Sequence, residues 1–161
     1  MSQLGCSRFN FPGASHTRFG HALGVYFLIT FLFQTNKAVS QEINCCDQEL
    51  IAISGLLHDL GHGPFSHAFE RLEDPDGNCS FSHTTLTVAL IKDEKTKVHQ
   101  VLRKFGVGVD DVVSLLMKKH SSSRPLLQKY ATLISGQFDC DRLDYLLRDS
   151  YFAGVDYGYV D

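Results

Sequence analysis

The sequence lacks the features that direct a chain into or across a membrane. Its longest apolar run, residues 22–33, is shorter than the roughly 20 residues that a membrane-spanning helix needs, so we expect a buried core helix there. The chain begins without the charged segment, apolar stretch and cleavage site of a secretory signal. These observations predict a protein with no membrane partner and a cytoplasmic location.

Paired cysteines and an excess of one charge are also missing. The five cysteines are an odd number without a CxxC spacing, which favours reduced thiols that mostly pack as small apolar side chains. A net charge of −3 argues against a dedicated nucleic-acid surface. With 43% hydrophobic and 20% charged residues, the 161-residue chain is expected to be one globular domain, residues 1–161.

No segment alternates apolar and polar residues over a strand length, so the predicted fold class is all-α. Helices are predicted over residues 18–34, 66–72, 82–92, 98–105, 110–119 and 125–135. A further helix, which Asp47 would cap, ends near Leu60, and the last helix starts near Gln137. Ser15 is a candidate cap for the first helix, while residues 1–17 and 36–44 are expected to be a loop and a polar connection.

The densest chemistry lies in residues 58–67, directly after the apolar run 50–57. His58 and Asp59 are adjacent, and His62 follows His58 by four residues, which places it on the same face if the helix continues. Such polar groups at the end of a buried helix are costly without a partner, and imidazole with carboxylate suits a divalent transition metal. The alternative is a helix C-terminus at which the dipole favours histidine.

Two other helices offer polar groups that could complete a site. Arg18 and His21 are three residues apart on the first turn of an apolar helix, although such a histidine can also be an ordinary core residue. In the last helix Asp141, Tyr145 and Arg148 share one face. The alternative for that charged stripe is a solvated face with weak intrahelical ion pairs.

The order of His21, His58-Asp59 and Asp141 resembles the H…HD…D ligand order of the HD-domain metal-dependent phosphohydrolases. Longer strings, residues 11–21, 58–67 and 139–149, are similar to the deoxynucleoside triphosphate triphosphohydrolase branch of that family. The similarity runs over essentially the whole chain. It implies an HD-domain helical bundle around a metal site.

The resemblance also implies roles for individual residues. One divalent ion (Mn, Fe, Mg, Zn and Ni are not distinguished) would be held by His21, His58, Asp59 and Asp141. The catalytic residues would be His62, Glu70 and His83. The substrate would be bound by Arg18, His67 and Arg142 at the phosphates, by Gln3 and Asp149 at the deoxyribose 3′-hydroxyl, and by Tyr145 at the sugar. Glu70 and Arg142 stand where the mammalian members have Asp and Lys, which changes reach and geometry.

The implied activity is hydrolysis of dNTPs to deoxynucleoside and triphosphate by metal-activated attack of water on the α-phosphate. One alternative is a nucleotide monophosphatase or phosphodiesterase with the same metal site. The other is a non-catalytic nucleotide-binding or oligomerisation module. Because related chains continue further, we expect this chain to be truncated at its C-terminus, to hydrolyse dNTPs poorly alone, and to form a homo-oligomer at full length.

Overall fold

The computed structural model describes residues 1–64, 70, 82–118 and 124–157 of the chain. The predicted helix over residues 66–72, apart from Glu70, lies outside these residues, and so does His67. The predicted helix over residues 66–72 and the predicted role of His67 therefore remain predictions.

The described residues form an all-α structure, which confirms the predicted fold class. They contain eight α-helices: α1 Arg18–Thr35, α2 Lys37–Glu42, α3 Cys45–Leu57, α4 His83–Lys92, α5 Lys97–Lys104, α6 Val109–Leu116, α7 Pro125–Tyr130 and α8 Cys140–Ala153. Two short 3-10 helices, Gly5–Phe9 and Ala131–Leu133, complete the helical elements. The only strand-like pairing in this part of the chain is an isolated bridge between Ser2 and Thr17.

Two predicted helix caps are wrong, although the first helix begins at residue 18 as predicted. Thr17, not Ser15, caps α1, and Asn44, not Asp47, caps α3. Both caps have extended backbone, and their side-chain oxygen accepts the N–H three residues on. Asn36 caps the short helix α2 where a polar connection was expected.

The core forms where α1 packs on α3. Val25 and Ile29 of α1 are fully buried, as is Ile51 of α3. Gly55 permits this contact, because a Cβ at that position would lie only 2.5 Å from Ile29 Cδ1. The later helices α4 to α7 add further buried apolar side chains to the same cluster. One continuous core therefore anchors both helices that carry the histidines of the predicted site.

The opposite side of α1 remains exposed in spite of its apolar sequence. Phe19, Leu23, Phe27 and Phe31 recur every fourth residue and are 43–70% exposed. Even so, none of the described helices combines the length and apolarity that crossing a membrane requires.

We expected most cysteines to pack inside the protein, but three of the four described cysteines are exposed. Cys140 is buried, and burial raises the pKa of its thiol to about 11. Cys6, Cys45 and Cys46 are exposed, since they lie in the N-terminal 3-10 helix and on the first turn of α3, outside the core.

The α1–α3 contact predicts a large cavity effect at Ile29. We expect Ile29→Ala to lower the free energy of unfolding by about 2–5 kcal/mol, because the fully buried side chain leaves a void against Gly55. The matched control is Leu23→Ala on the same helix, which is 43% exposed and should cost about 1 kcal/mol or less. Urea denaturation measures both, and equal losses would contradict this account of the core.

Candidate metal centre

Four groups converge from α1, from the turn that follows α3 and from α8. His21 Nε2 lies 3.0 Å from Asp141 Oδ1, and His58 Nε2 lies 3.3 Å from Asp59 Oδ1. The imidazoles of His21 and His58 meet edge to face, with ring centroids 5.3 Å apart. The nitrogen and oxygen atoms of His21, His58 and Asp59 are close enough together to hold a metal ion.

Helix ends bring these groups together. The Thr17 cap starts α1 so that His21 lies on its first turn, and the Asp139 cap does the same for Asp141 on α8. Helix α3 ends immediately before His58. Polar ligands at helix ends can face a shared site while the apolar middles of the same helices form the core.

The imidazoles present their Nε2 atoms to the centre because their Nδ1 atoms are engaged elsewhere. His58 Nδ1 donates to the carbonyl oxygen of Gly55 at 2.7 Å, and His21 Nδ1 donates to Asp144 Oδ2 at 2.8 Å. An acceptor behind a ligating histidine fixes the tautomer and the ring orientation.

The Nε2 atom of His58 gives a direct test of whether this centre fits a metal. It is buried and has no hydrogen-bond partner, and its 3.5 Å separation from Asp141 Oδ1 is longer than a normal hydrogen bond. A buried nitrogen aimed at carboxylate oxygens is costly unless a cation accepts its lone pair. The donor set of two imidazoles and two carboxylates therefore fits a divalent ion.

Asp144 supports the centre from behind, a role that sequence reasoning missed. It accepts from His21, and Arg148 binds both of its oxygens, at 2.8 and 2.7 Å. Gly24 provides the space for this pair, since a Cβ there would collide with Asp144. The four-residue spacing of Asp144 and Arg148 was the available signal, and it indicates the intrahelical ion pair named as the alternative for the charged stripe.

The charges of the centre balance one another. Burial lowers the pKa of His21, but its contacts with Asp141 and Asp144 outweigh burial and raise the pKa to about 9. The carboxylates of Asp141 and Asp59 likewise raise the pKa of His58 against the effect of burial. Burial raises the pKa of Asp141, yet His21 and His58 hold it below its usual range. A bound divalent cation would replace the imidazolium protons in this arrangement.

A second group of imidazoles adjoins the first. His62 Nε2 lies 3.4 Å from Asp59 Oδ1, and the His62 ring stacks on His83 with centroids 4.1 Å apart. Glu70 accepts from both the backbone N–H and Nδ1 of His83 at 2.6 Å. The structure thus brings the three predicted catalytic residues together beside Asp59. Asp59, His62 and His83 are also near enough to one another to hold an ion.

His62 reaches this position through a turn and not through a longer α3. The helix ends at Leu57, and the His62 N–H donates to the carbonyl oxygen of Asp59. Gly61 packs directly against α4, where its N–H donates to Thr87 Oγ1 at 2.8 Å and leaves no room for a Cβ. The close approach of turn and helix sets His62 against His83.

The predicted substrate-binding residues are distributed around the centre. Arg18 donates to Asp59 Oδ2 at 2.7 Å and so borders the metal ligands. Asp149 is buried and contacts His16, and burial raises the pKa of Tyr157 together with its neighbours Asp149 and Tyr145. Arg142 is exposed and donates to the carbonyl oxygen of Gln137, two residues before the Asp139 cap of α8.

Gln3 lies beside His16 in the N-terminal segment, through a hydrogen bond from its backbone N–H to the His16 carbonyl oxygen. Sequence reasoning gave His16 no role. Its only signal was its place in the string 11–21, five residues before His21.

An all-helical fold that gathers histidines and aspartates from helix ends around one point defines a class of metal-site proteins. The family model of the HD domain matches residues 18–149 of the sequence. The chain therefore belongs to the HD-domain family. This membership confirms the resemblance drawn from the sequence motifs.

The chain has relatives with and without a named activity. It is 40% identical to the uncharacterized protein YwfO of Bacillus subtilis over 162 residues, which cover 100% of this chain and 35% of that protein. It is 33% identical to the deoxynucleoside triphosphate triphosphohydrolase SAMHD1 homolog of Dictyostelium discoideum, covering 96% of this chain and 30% of that protein. The chain therefore spans about a third of the length of these relatives.

A solved structure shares the fold of the chain. The crystal structure of a phosphohydrolase from Bacteroides thetaiotaomicron superposes with a TM-score of 0.77 at 31% sequence identity. The superposition covers 100% of this chain and 36% of that protein.

Asp144 should contribute strongly to stability through its two partners, the buried His21 and the partly buried Arg148. We expect Asp144→Asn to lower the free energy of unfolding by about 2–4 kcal/mol, because the charge-assisted bonds from Arg148 and His21 are weakened. Denaturation is measured with a chelator present, so that metal binding makes no contribution. Asp156→Asn, at an exposed position, is the control, and identical midpoints would refute this role of Asp144.

Proposed function

We propose that this chain is the metal-dependent catalytic domain of a phosphohydrolase that converts dNTPs to deoxynucleoside and triphosphate. The observation that carries the proposal is the buried pair of imidazoles whose Nε2 atoms face the carboxylates of Asp59 and Asp141. The substrate class rests on the relatives whose names state that activity. The motifs in residues 11–21, 58–67 and 139–149 support the same substrate class.

One divalent ion is held by His21, His58, Asp59 and Asp141 in this proposal. When bound, such an ion lowers the pKa of coordinated water and polarises a phosphoryl oxygen. These four protein ligands would leave the ion able to bind water and a phosphate oxygen as well. Asp144 and the carbonyl oxygen of Gly55 keep the two imidazoles aimed at it.

The stacked histidines provide proton transfer. Attack of water at the α-phosphorus breaks its bond to the 5′ oxygen, which must gain a proton as it departs with the deoxynucleoside. His62, between Asp59 and His83, is suited to donate it because imidazole is the side chain that most often serves as a general acid. Glu70 holds His83 through Nδ1 and so orients the stacked pair.

Cationic groups hold the substrate. A dNTP carries about four negative charges near neutral pH, so its phosphates need several donors. Arg18 lies next to Asp59 and takes a phosphate in this proposal, and the resemblance assigns a second phosphate contact to His67. Arg142 has to leave its bond to Gln137 to take part. Tyr145 packs on the sugar, and Gln3 and Asp149 bind its hydroxyl.

The assignment of the metal ligands predicts that replacing a single ligand residue removes the ion. Purified protein should contain one divalent ion per chain, and His58→Ala should abolish it, since this removes a buried ligand atom with no other partner. His99→Ala is the matched control, because that histidine bonds the carbonyl oxygen of Ile91. Elemental analysis and circular dichroism together give the answer: a metal-free, helical wild type prepared without chelator would refute the site.

The assignment of His62 predicts a different outcome. His62→Ala should retain the ion but lower turnover about 10²–10⁴-fold, as expected for loss of a general acid. Turnover is measured with added Mn²⁺ or Mg²⁺ on a panel of dNTPs, with phosphate products separated. Relatives are about three times as long, so any longer natural polypeptide containing the chain is assayed in parallel.

The products decide among the reaction types. Triphosphate supports the proposal, whereas orthophosphate identifies a monophosphatase. Tight nucleotide binding at an intact metal site without any product identifies a binding or assembly module. Loss of the ion in His62→Ala would show that the ligand set is misassigned.

A further inference from the structure

Buried polar atoms gather where the N-terminal segment meets α8. Ser2 Oγ, Gln3 Oε1 and His16 Nδ1 are all buried and have no hydrogen-bond partner. The Ser2–Thr17 bridge holds these residues side by side. His16 is only 6% exposed, so its ring cannot obtain a partner from bulk water. Unmet polar groups of this kind are uncommon in protein interiors and favour a polar ligand.

His16 links the two residues that the proposed function assigns to the sugar hydroxyl. Its Nε2–H donates to Asp149 Oδ1 at 2.7 Å, and its backbone carbonyl oxygen accepts from Gln3 N–H at 3.1 Å. The ring also stacks on Phe152, with centroids 4.9 Å apart, which fixes its plane. The His16 side chain therefore sets the position of the carboxylate on α8, while its backbone pairs with the backbone of Gln3 in the N-terminal segment.

We propose that His16 is a positioning residue for a hydroxyl-binding subsite formed by Gln3 and Asp149, and that it confers preference for ligands with a 3′-hydroxyl. This inference rests on the proposed function. His16 occupies only Oδ1 of Asp149, and Oδ2 makes no hydrogen bond to the described residues, so it is available to accept from a hydroxyl. Gln3 Oε1 offers a second acceptor.

The subsite lies at a suitable distance from the metal centre. Asp149 follows Asp141 by eight residues on α8, which is about 12 Å along the helix axis. A nucleotide with its phosphate at the centre can extend its sugar in this direction. Tyr145 stands between the two aspartates on the same helix, and Tyr157 lies close to both Tyr145 and Asp149.

The hydrogen bond between His16 and Asp149 also has a clear chemical purpose. A carboxylate with two free rotatable bonds would lose orientational freedom on binding a hydroxyl. The buried donor at 2.7 Å fixes the carboxylate plane in advance, so Oδ2 already points where a hydroxyl must donate. Pre-organisation of this kind improves affinity only for a ligand that carries the hydroxyl.

The test compares binding of the four dNTPs with binding of their 2′,3′-dideoxy counterparts in the presence of Mn²⁺. Wild type should prefer the dNTPs by about tenfold or more, the effect of one hydrogen bond to a charged group. His16→Phe keeps the ring stacked on Phe152 but cannot donate, and should lose most of that preference. His16→Gln, whose amide can donate from a similar position, should restore it. His99→Phe is the matched control.

Each outcome is decisive. A merely structural role for His16 would weaken both ligand sets equally and leave their ratio unchanged, which would overturn the inference. Wild type that binds both sets equally would overturn it, together with the assignment of Gln3 and Asp149 to the hydroxyl, while leaving the proposed metal-dependent hydrolysis intact. Wild type that binds neither set overturns both. Should His16→Phe fail to fold, His16→Asn takes its place, because the shorter amide cannot reach Asp149.

Discussion

The desolvation of a few histidines and aspartates is the constraint on which the rest of this structure depends. His21 and Asp144 are almost entirely inaccessible to water, and each would destabilise the fold if it lacked a partner. Neighbouring groups meet that requirement: Arg148 neutralises Asp144, and the carbonyl oxygen of Gly55 accepts a hydrogen bond from His58 Nδ1. The buried Nε2 atom of His58 has no hydrogen-bond partner, and a metal ion would satisfy it.

This constraint explains why α1 contributes side chains both to the candidate metal centre and to the core. Its first turn carries Arg18 and His21 at the centre, whereas Val25 and Ile29 further along are buried against α3. The core thus fixes the angle at which the histidine enters the site. Small residues are needed at the contacts: Gly55 lets α3 approach α1, and Gly24 leaves space for the Asp144–Arg148 pair.

The same helices place two chemically different groups of side chains next to each other along α8. The acidic and imidazole groups that are suited to bind a metal and a phosphate lie near the start of α8. Two turns further along this helix, the Asp149 carboxylate can accept a hydrogen bond from a hydroxyl group. The stacked His62 and His83 flank the first region, where a leaving oxygen would need a proton. Chemistry and recognition can therefore be separated along one helix, with different residues affecting turnover and ligand preference.

The sequence by itself determined the helical class, because the spacing of apolar residues reports on contacts between residues one to four positions apart. It also provided the candidate metal ligands in their order along the chain. It placed the helix over residues 82–92 well, but it assigned caps to Ser15 and Asp47 where Thr17 and Asn44 have the required geometry. Only the tertiary structure decided which carboxylate supports which imidazole: Asp144 backs His21, and Asp149 meets His16 although 133 residues separate them. Pairings over such distances depend on how helices cross, and local periodicity carries no information about that crossing.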